Sequence, residues 1–443
     1  MNFANKQSSD LEMSLEEQFI IKCLQSEYKA EGHDKFANFN FDTIDWNIIY
    51  EKSIEWKITS FLYRIISKRL SESQLSLIPL QISQKFKMSY TLTGLLNNSN
   101  FTELKKIQKT FNAEGIELIL LKGSHLARFV YRDIGLRAMS DIDIMVKKEE
   151  FLKAVELLFQ MGFGAPSEEK LELMERYKAN FNNISPDLRH FPSLVDQRNR
   201  VKLDVHFSPV KLTAPFNIDI DGLWERSRKA ETNGTNALLL SPEDLLLHIS
   251  IHNSYNHKFK FFGIKAICDT AQTLNYYGTE IDWDRINHRA CEWGAQKSLY
   301  LTLRLTQEIL GGVIADEILD SLKPESCSQQ MVSEAKHRIF SSEAKISPYA
   351  HMPTDFHPDN SLLKRISFTF KKIFIPPENL AALYKLPILS KRVYFYYPIR
   401  LISLLYKKVP QYTPLFVSLL FRKKKNVVQN DFDLWLISKE TGN

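Results

Sequence analysis

The chain has 443 residues, of which 44% are hydrophobic and 25% charged, with a formal net charge of +6. That balance excludes a disordered or low-complexity chain, and the length allows about three domains. Glycine is scarce at 15 residues, and neither G-x-G-x-x-G nor a Gly-Lys pair occurs, which excludes the Rossmann fingerprint and the P-loop. Cys23, Cys268, Cys291 and Cys327 are far apart and form no C-x-x-C pair, as expected of a reducing cytoplasm.

The N-terminus is polar and acidic, so no signal peptide is expected. No apolar stretch reaches the ~18 residues of a spanning helix. Residues 1–100 read as a helical region. Leu15, Phe19, Ile20, Cys23 and Leu24 recur at helical spacing, as do Ile54, Ile58, Phe61, Leu62 and Ile65, with Pro79 between patterns.

A second region, 101–235, has the texture of an α/β core. A helix predicted over Thr102 to Ala113 is followed by Gly115 and the apolar run Ile116 to Leu121, which suggests a buried strand. Lys122-Gly123-Ser124 then opens a helical pattern through His125, Leu126, Phe129 and Val130. Ser140 to Val146 alternates strictly, and Lys148 to Met161 is an amphipathic helix closed by Gly162. Residues 164–187 are irregular. His190 to Val195 and Val201 to Phe207 read as a hairpin joined by a polar turn. Helices are expected over 236–345, beginning at Ser241-Pro242-Glu243-Asp244, which supplies an N-cap, a first-turn proline and acids.

The segment 346–443 is basic and aromatic. Between Lys364 and Lys425 fourteen Lys or Arg face a single acid, Glu378, which leaves the remainder of the chain net negative. Such interleaving over 361–425 suits single-stranded nucleic acid, an anionic membrane surface, or a helical lid whose aromatics pack inward.

Chemistry points to Asp141 and Asp143. Two apart on a strand, they face the same side, with Ile142 and Ile144 opposite. Paired carboxylates are stabilised by a cation between them, and hard oxygen ligands suit Mg²⁺. The spacing alone decides nothing, because Asp219/Asp221, Asp282/Asp284 and Asp431/Asp433 repeat it. Only the first pair follows a strand–Gly-Ser–helix element, where Gly123 and Ser124 offer backbone N–H groups to a phosphate. Asp204 lies between Leu203 and Val205 on a strand and shares a face with His206. If that strand neighbours Asp141, three carboxylates surround one site, as a phosphoryl or nucleotidyl displacement needs. His248 and His252 share a helix face without the Glu of a zinc motif. Asp269 is expected to be a buried helix partner.

Leu121-Lys122-Gly123-Ser124, Arg137-Ala138-Met139-Ser140-Asp141-Ile142-Asp143-Ile144 and Leu203-Asp204-Val205-His206 together resemble the nucleotidyltransferase superfamily typified by DNA polymerase β. Within it, the chain is similar to the uncharacterised nucleotidyltransferases, which share the helical flanks, here Leu245 to His252 and Asp269. The resemblance implies an α+β fold, a small mixed-sheet nucleotidyltransferase core between helical regions. It implies a metal site at Asp141, Asp143 and Asp204, with Asp204 assisting deprotonation. Lys122, Gly123, Ser124, Arg137 and Ser140 would bind the nucleotide, and His206 the substrate. The implied cofactor is Mg²⁺ or Mn²⁺, with a nucleoside triphosphate, ATP included, as donor to an unidentified acceptor that is a small molecule, peptide, protein or RNA. A silent nucleotide-binding protein and a kinase-like phosphotransferase are the alternatives. Sixteen residues separate Ser124 from Asp141, a longer spacing than in minimal members.

Overall fold

The computed structural model describes residues 13–28, 39–164, 193–196, 201–211, 214–232, 235–260, 263–340, 391–400 and 432–438. It also describes Phe36, Met174, Phe191, Leu380 and Glu440. The chain divides into two units: residues 1–212, 216–344 and 440–443 form one, and 213–215 with 345–439 the other. Most of the basic segment, including Asp431, lies outside the described residues. The second unit contributes the short helix Phe432–Ile437 and a 3₁₀ turn, Lys391–Phe395, in which Val393 is buried with Leu380.

The first unit is α+β, as expected. Helices α1 (Leu15–Tyr28), α2 (Trp46–Glu55) and α3 (Thr59–Arg69) pack on one another. The periodicity joining Ile54 to Ile65 does not make one helix. The chain breaks at Trp56–Ile58, where Lys57 adopts φ 58°, and Ile54 is left exposed.

Helix α4 runs without interruption from Leu80 to Ala113, 34 residues, and Pro79 is its N-cap. The helix expected to start at Thr102 is therefore only its last third. Asn97, Asn98 and Asn100 have low helix propensity. Tertiary bonding overrides that preference. Asn97 is fully buried, and its Nδ2 donates to the carbonyls of Ile134 (2.6 Å) and Arg137 (2.8 Å).

A six-stranded mixed sheet follows, in the order β3-β4-β2-β1-β6-β5. β1 is only Ile119–Leu120, antiparallel to β2 (Ile142–Met145). The run expected as a longer strand is shortened, although Leu121 N still donates to Asp143 O (3.1 Å). β2 is parallel to β4 (Val201–His206), which pairs antiparallel with β3 (Leu194–Asp196), confirming the hairpin. The hairpin of β5 (Arg228–Thr232) and β6 (Thr235–Leu239) was not anticipated, although Asn233-Gly234 between them is a strong hairpin signal in the sequence.

One sheet face is apolar. Ile142, Ile144, Leu203 and Val205 pack with Leu104, Ile107 and Phe111 of α4 and with Phe151, Val155 and Leu158 of α5 (Phe151–Gln160). Alternation along the strands sends Asp143 and Asp204 to the other face. Helices α6 (Pro242–Ile251), α7 (Gly263–Tyr277), α8 (Trp283–Trp293) and α9 (Gln296–Leu310) complete the unit with Asp316–Leu322 and Gln329–Phe340. Ser241 caps α6 with Pro242 in the first turn, as read from the sequence, and Asp282 caps α8. Among the described residues no helix is long and apolar enough to cross a membrane.

Candidate active site

Register builds the site. Asp143 on β2 lies directly beside Asp204 on β4, because the two strands are parallel and paired Ile142↔Leu203 through Met145↔His206. Asp143 is 3% exposed. Lys122 Nζ (2.6 Å) and His206 Nε2 (2.9 Å) both donate to its Oδ1. Burial works to raise the pKa of this carboxyl, but the charge of Lys122 and the His206 contact outweigh it and hold Asp143 well below the usual carboxylate range.

Lys122 reaches Asp143 from an unusual backbone position. Its φ is 44°, in the left-handed region that a side chain rarely adopts, at the head of the single helical turn Lys122–His125. Gly123 follows, where a Cβ would lie 2.8 Å from Arg137 Nη1 and 3.1 Å from Met139 Cγ; the close approach requires glycine. Ser124 is buried, and its Oγ accepts from Asp143 N (3.1 Å), so the hydroxyl ties the turn to β2.

The chain between this turn and β2 is pinned from two sides. On the α4 side, Tyr90 donates to Asp133 (2.9 Å), and Asn97 Oδ1 accepts from Met139 N (3.3 Å). On the α7 side, Asp269 takes both Arg137 Nε and Nη2 at 2.7 Å and Tyr131 Oη at 2.9 Å. Arg137 is thus a buried, paired guanidinium whose remaining surface lines the cavity. The long Ser124-to-Asp141 spacing is this pinned segment.

Asp141 sits just before β2. Ser140 Oγ donates to it (3.0 Å), and Lys202, its neighbour across the strands, stands 3.6 Å away. Burial and the nearby Asp143 charge raise its pKa. Asp204 accepts from Ser193 Oγ at 2.5 Å. The ligand atoms of Asp143, Asp204 and His206 lie within 4.8 Å of one another. This donor set of two carboxylates and an imidazole fits a divalent cation, and the Lys122 ammonium drawn onto Asp143 shows the demand for positive charge there. Asp141 is not in that group, and His206, expected at the substrate, is almost fully buried against Asp143.

A cavity of about 250 Å³ opens beside these acids, lined by Lys122, Gly123, Arg137, Ser140, Asp141 and Asp143. The lining continues with His248 of α6, His252 and Asn253 of the π-helical turn His252–Asn256, His257 just after it, and Lys265 of α7. The sequence reading missed Lys265. Its Nζ donates to Ala138 O (2.9 Å), and burial together with the Arg137 charge lowers its pKa to about 7. The available signal was its i,i+4 spacing from Asp269 on one helix face.

No curated protein and no solved structure matches the chain. The family model described as uncharacterised nucleotidyltransferase matches residues 42–311. That span covers more than half the chain and every residue of the cavity, so the protein belongs to this nucleotidyltransferase family and is a transferase enzyme.

Proposed function

We propose that the protein moves a nucleoside monophosphate group from a nucleoside triphosphate, with ATP among the donors, to a hydroxyl-bearing acceptor. Mg²⁺ or Mn²⁺ is the proposed cofactor. The register that sets Asp143 beside Asp204 on parallel strands, next to the Lys122-Gly123-Ser124 turn, is the observation that carries this reading.

Asp143, Asp204 and His206 are the residues that would hold the cation, with Asp141 beside them. When bound, the cation neutralises phosphate charge and activates the attacking oxygen. The His206 ring also meets Asp143 through Nε2 (2.9 Å), which keeps the two donors together. Lys122 and Arg137, with Lys265 when it is protonated, bring positive charge to the cavity, where it stabilises charge developing in the transition state. Gly123 lets the turn approach closely, and Ser140 and Ser124 hold Asp141 and the strand start in place. In the displacement, the acceptor oxygen bonds to the α-phosphorus as the bond to the pyrophosphate oxygen breaks, and Asp204 accepts the hydroxyl proton. The four free cysteines suit a reducing compartment, so the cytoplasm is the proposed location. The basic segment 361–425 is the proposed contact for an anionic surface.

Incubation with each α-labelled nucleoside triphosphate and Mg²⁺ tests the reading. Pyrophosphate release, with label passing to a lysate component, is expected. A nucleoside diphosphate product would mark γ-phosphoryl transfer instead, and tight binding without product a silent nucleotide-binding protein.

A further inference from the structure

Asn253 is 1% exposed and lines the cavity, yet neither its Oδ1 nor its Nδ2 meets a hydrogen-bond partner among the described residues. A buried amide left unpaired is costly, and native proteins satisfy nearly all such groups. The backbone around it is equally unusual. His252–Asn256 is π-helical, closed by His257 N donating to His252 O (3.2 Å), a distortion found most often at functional sites. Phe259 N then donates to Asn253 O (3.0 Å), while Lys258 and Phe259 both adopt left-handed φ, 54° and 60°. The chain thus holds Asn253 against the cavity at the expense of both helical regularity and amide pairing.

Besides the cations and acids of the Lys122 turn and β2, the cavity lining carries Asn253 with the imidazoles of His252 and His257 and the apolar Ile249. The two imidazole rings sit 4.5 Å apart, centroid to centroid. Burial and the neighbouring Lys122 charge keep His252 neutral by pushing its pKa well below the ordinary value. Imidazole rings beside an unpaired amide complement a heteroaromatic ring with a polar edge. An amide offers donors and an acceptor side by side, the pattern that reads adjacent acceptor and donor groups on a base.

We propose that this wall is the base-reading face of the nucleotide site, and that Asn253 selects the base of the donor nucleoside triphosphate. The assignment rests on the nucleotidyl-transfer reading of the cavity. It makes Asn253 a specificity-determining residue rather than a catalytic one.

Calorimetric titration of the full chain with the four α,β-methylene nucleoside triphosphates in Mg²⁺ tests it. The wild type is expected to prefer one base by about tenfold or more. Asn253→Asp, which keeps the shape but replaces donors with an acceptor, is expected to reorder the series. Asn253→Leu is expected to bring all four affinities within about threefold of one another. The thermal midpoint of the nucleotide-free Asn253→Leu protein should not fall, because the amide has no partner to lose. A lowered midpoint would show that the amide serves the fold, and would overturn the proposal. So would wild-type binding without base preference, or an unchanged order in both variants. Failure of the wild type to bind any of the four removes the nucleotidyl-transfer reading as well, which separates the two failures.

Discussion

The Lys122 ammonium and the His206 imidazole converge on one oxygen of Asp143, and that places the residue at the centre of the chemistry. The carboxylate stays ionised in spite of burial because Lys122 and His206 favour its charged form. Asp143→Asn keeps the shape and removes the charge. Pyrophosphate release is expected to fall by about 10²–10³-fold, measured at saturating nucleotide. Activity equal to wild type would reject the role. Lys265 gives a separate signature through pH. Its ammonium titrates near 7 in the folded protein, against 10.5 ordinarily. Between those values the unfolded chain holds a proton that the folded chain has released, so stability rises with pH across that window. The gain is about 1–3 kcal/mol once solvent screening is allowed for. Urea unfolding midpoints from pH 7 to 10.5 should climb less steeply in Lys265→Met than in wild type; parallel slopes would contradict the assignment.

The working elements are a turn and a pinned connection. The turn Lys122–His125 must pass close to Arg137, and Gly123 is the residue that permits it. In Gly123→Ala the new methyl meets a guanidinium that cannot move aside without leaving Asp269. The turn is therefore expected to shift, raising KM for nucleotide by about tenfold while the fold survives, as circular dichroism would show. The Arg137–Asp269 pair joins the connection to α7. Asp269→Ala would leave Arg137 buried without its counter-charge, a loss of about 3–5 kcal/mol in urea denaturation. An unchanged midpoint would mean that the pair is not what holds the connection.

Across the whole first unit, the cavity draws its walls from segments far apart in the chain, from Lys122 to Asp269. The acids of the sheet face and the cations Lys122, Arg137 and Lys265 make the site a sink for a divalent cation and an anionic ligand together. A cation that binds only the folded state stabilises it by about 2.7 kcal/mol at a hundred times its dissociation constant. Saturating Mn²⁺ is thus expected to raise the wild-type thermal midpoint, and to leave that of the Asp143→Asn/Asp204→Asn double variant unmoved. Equal shifts in both proteins would place the cation elsewhere.

The sequence alone determined what local pattern can encode. Alternation at Asp141-Ile142-Asp143-Ile144 and at Leu203-Asp204-Val205 put the acids on one face of each strand, and the caps at Ser241 and Asp282 started helices where they stand. That the two acidic strands are neighbours was only a condition of the reading, and the parallel pairing of β2 with β4 supplied it. What only the tertiary structure decided were contacts that span long stretches of chain. Asn97 keeps α4 helical because carbonyls 37 and 40 residues away take its amide, a force invisible to propensity. Arg137 was expected at a phosphate, and the fold also ties its guanidinium to Asp269, a partner that spacing does not name. Lys265 and Asn253 carry no motif. They belong to the site because α7 and a π-helical turn fold over the sheet, and packing, not periodicity, sets which side chains face a cavity.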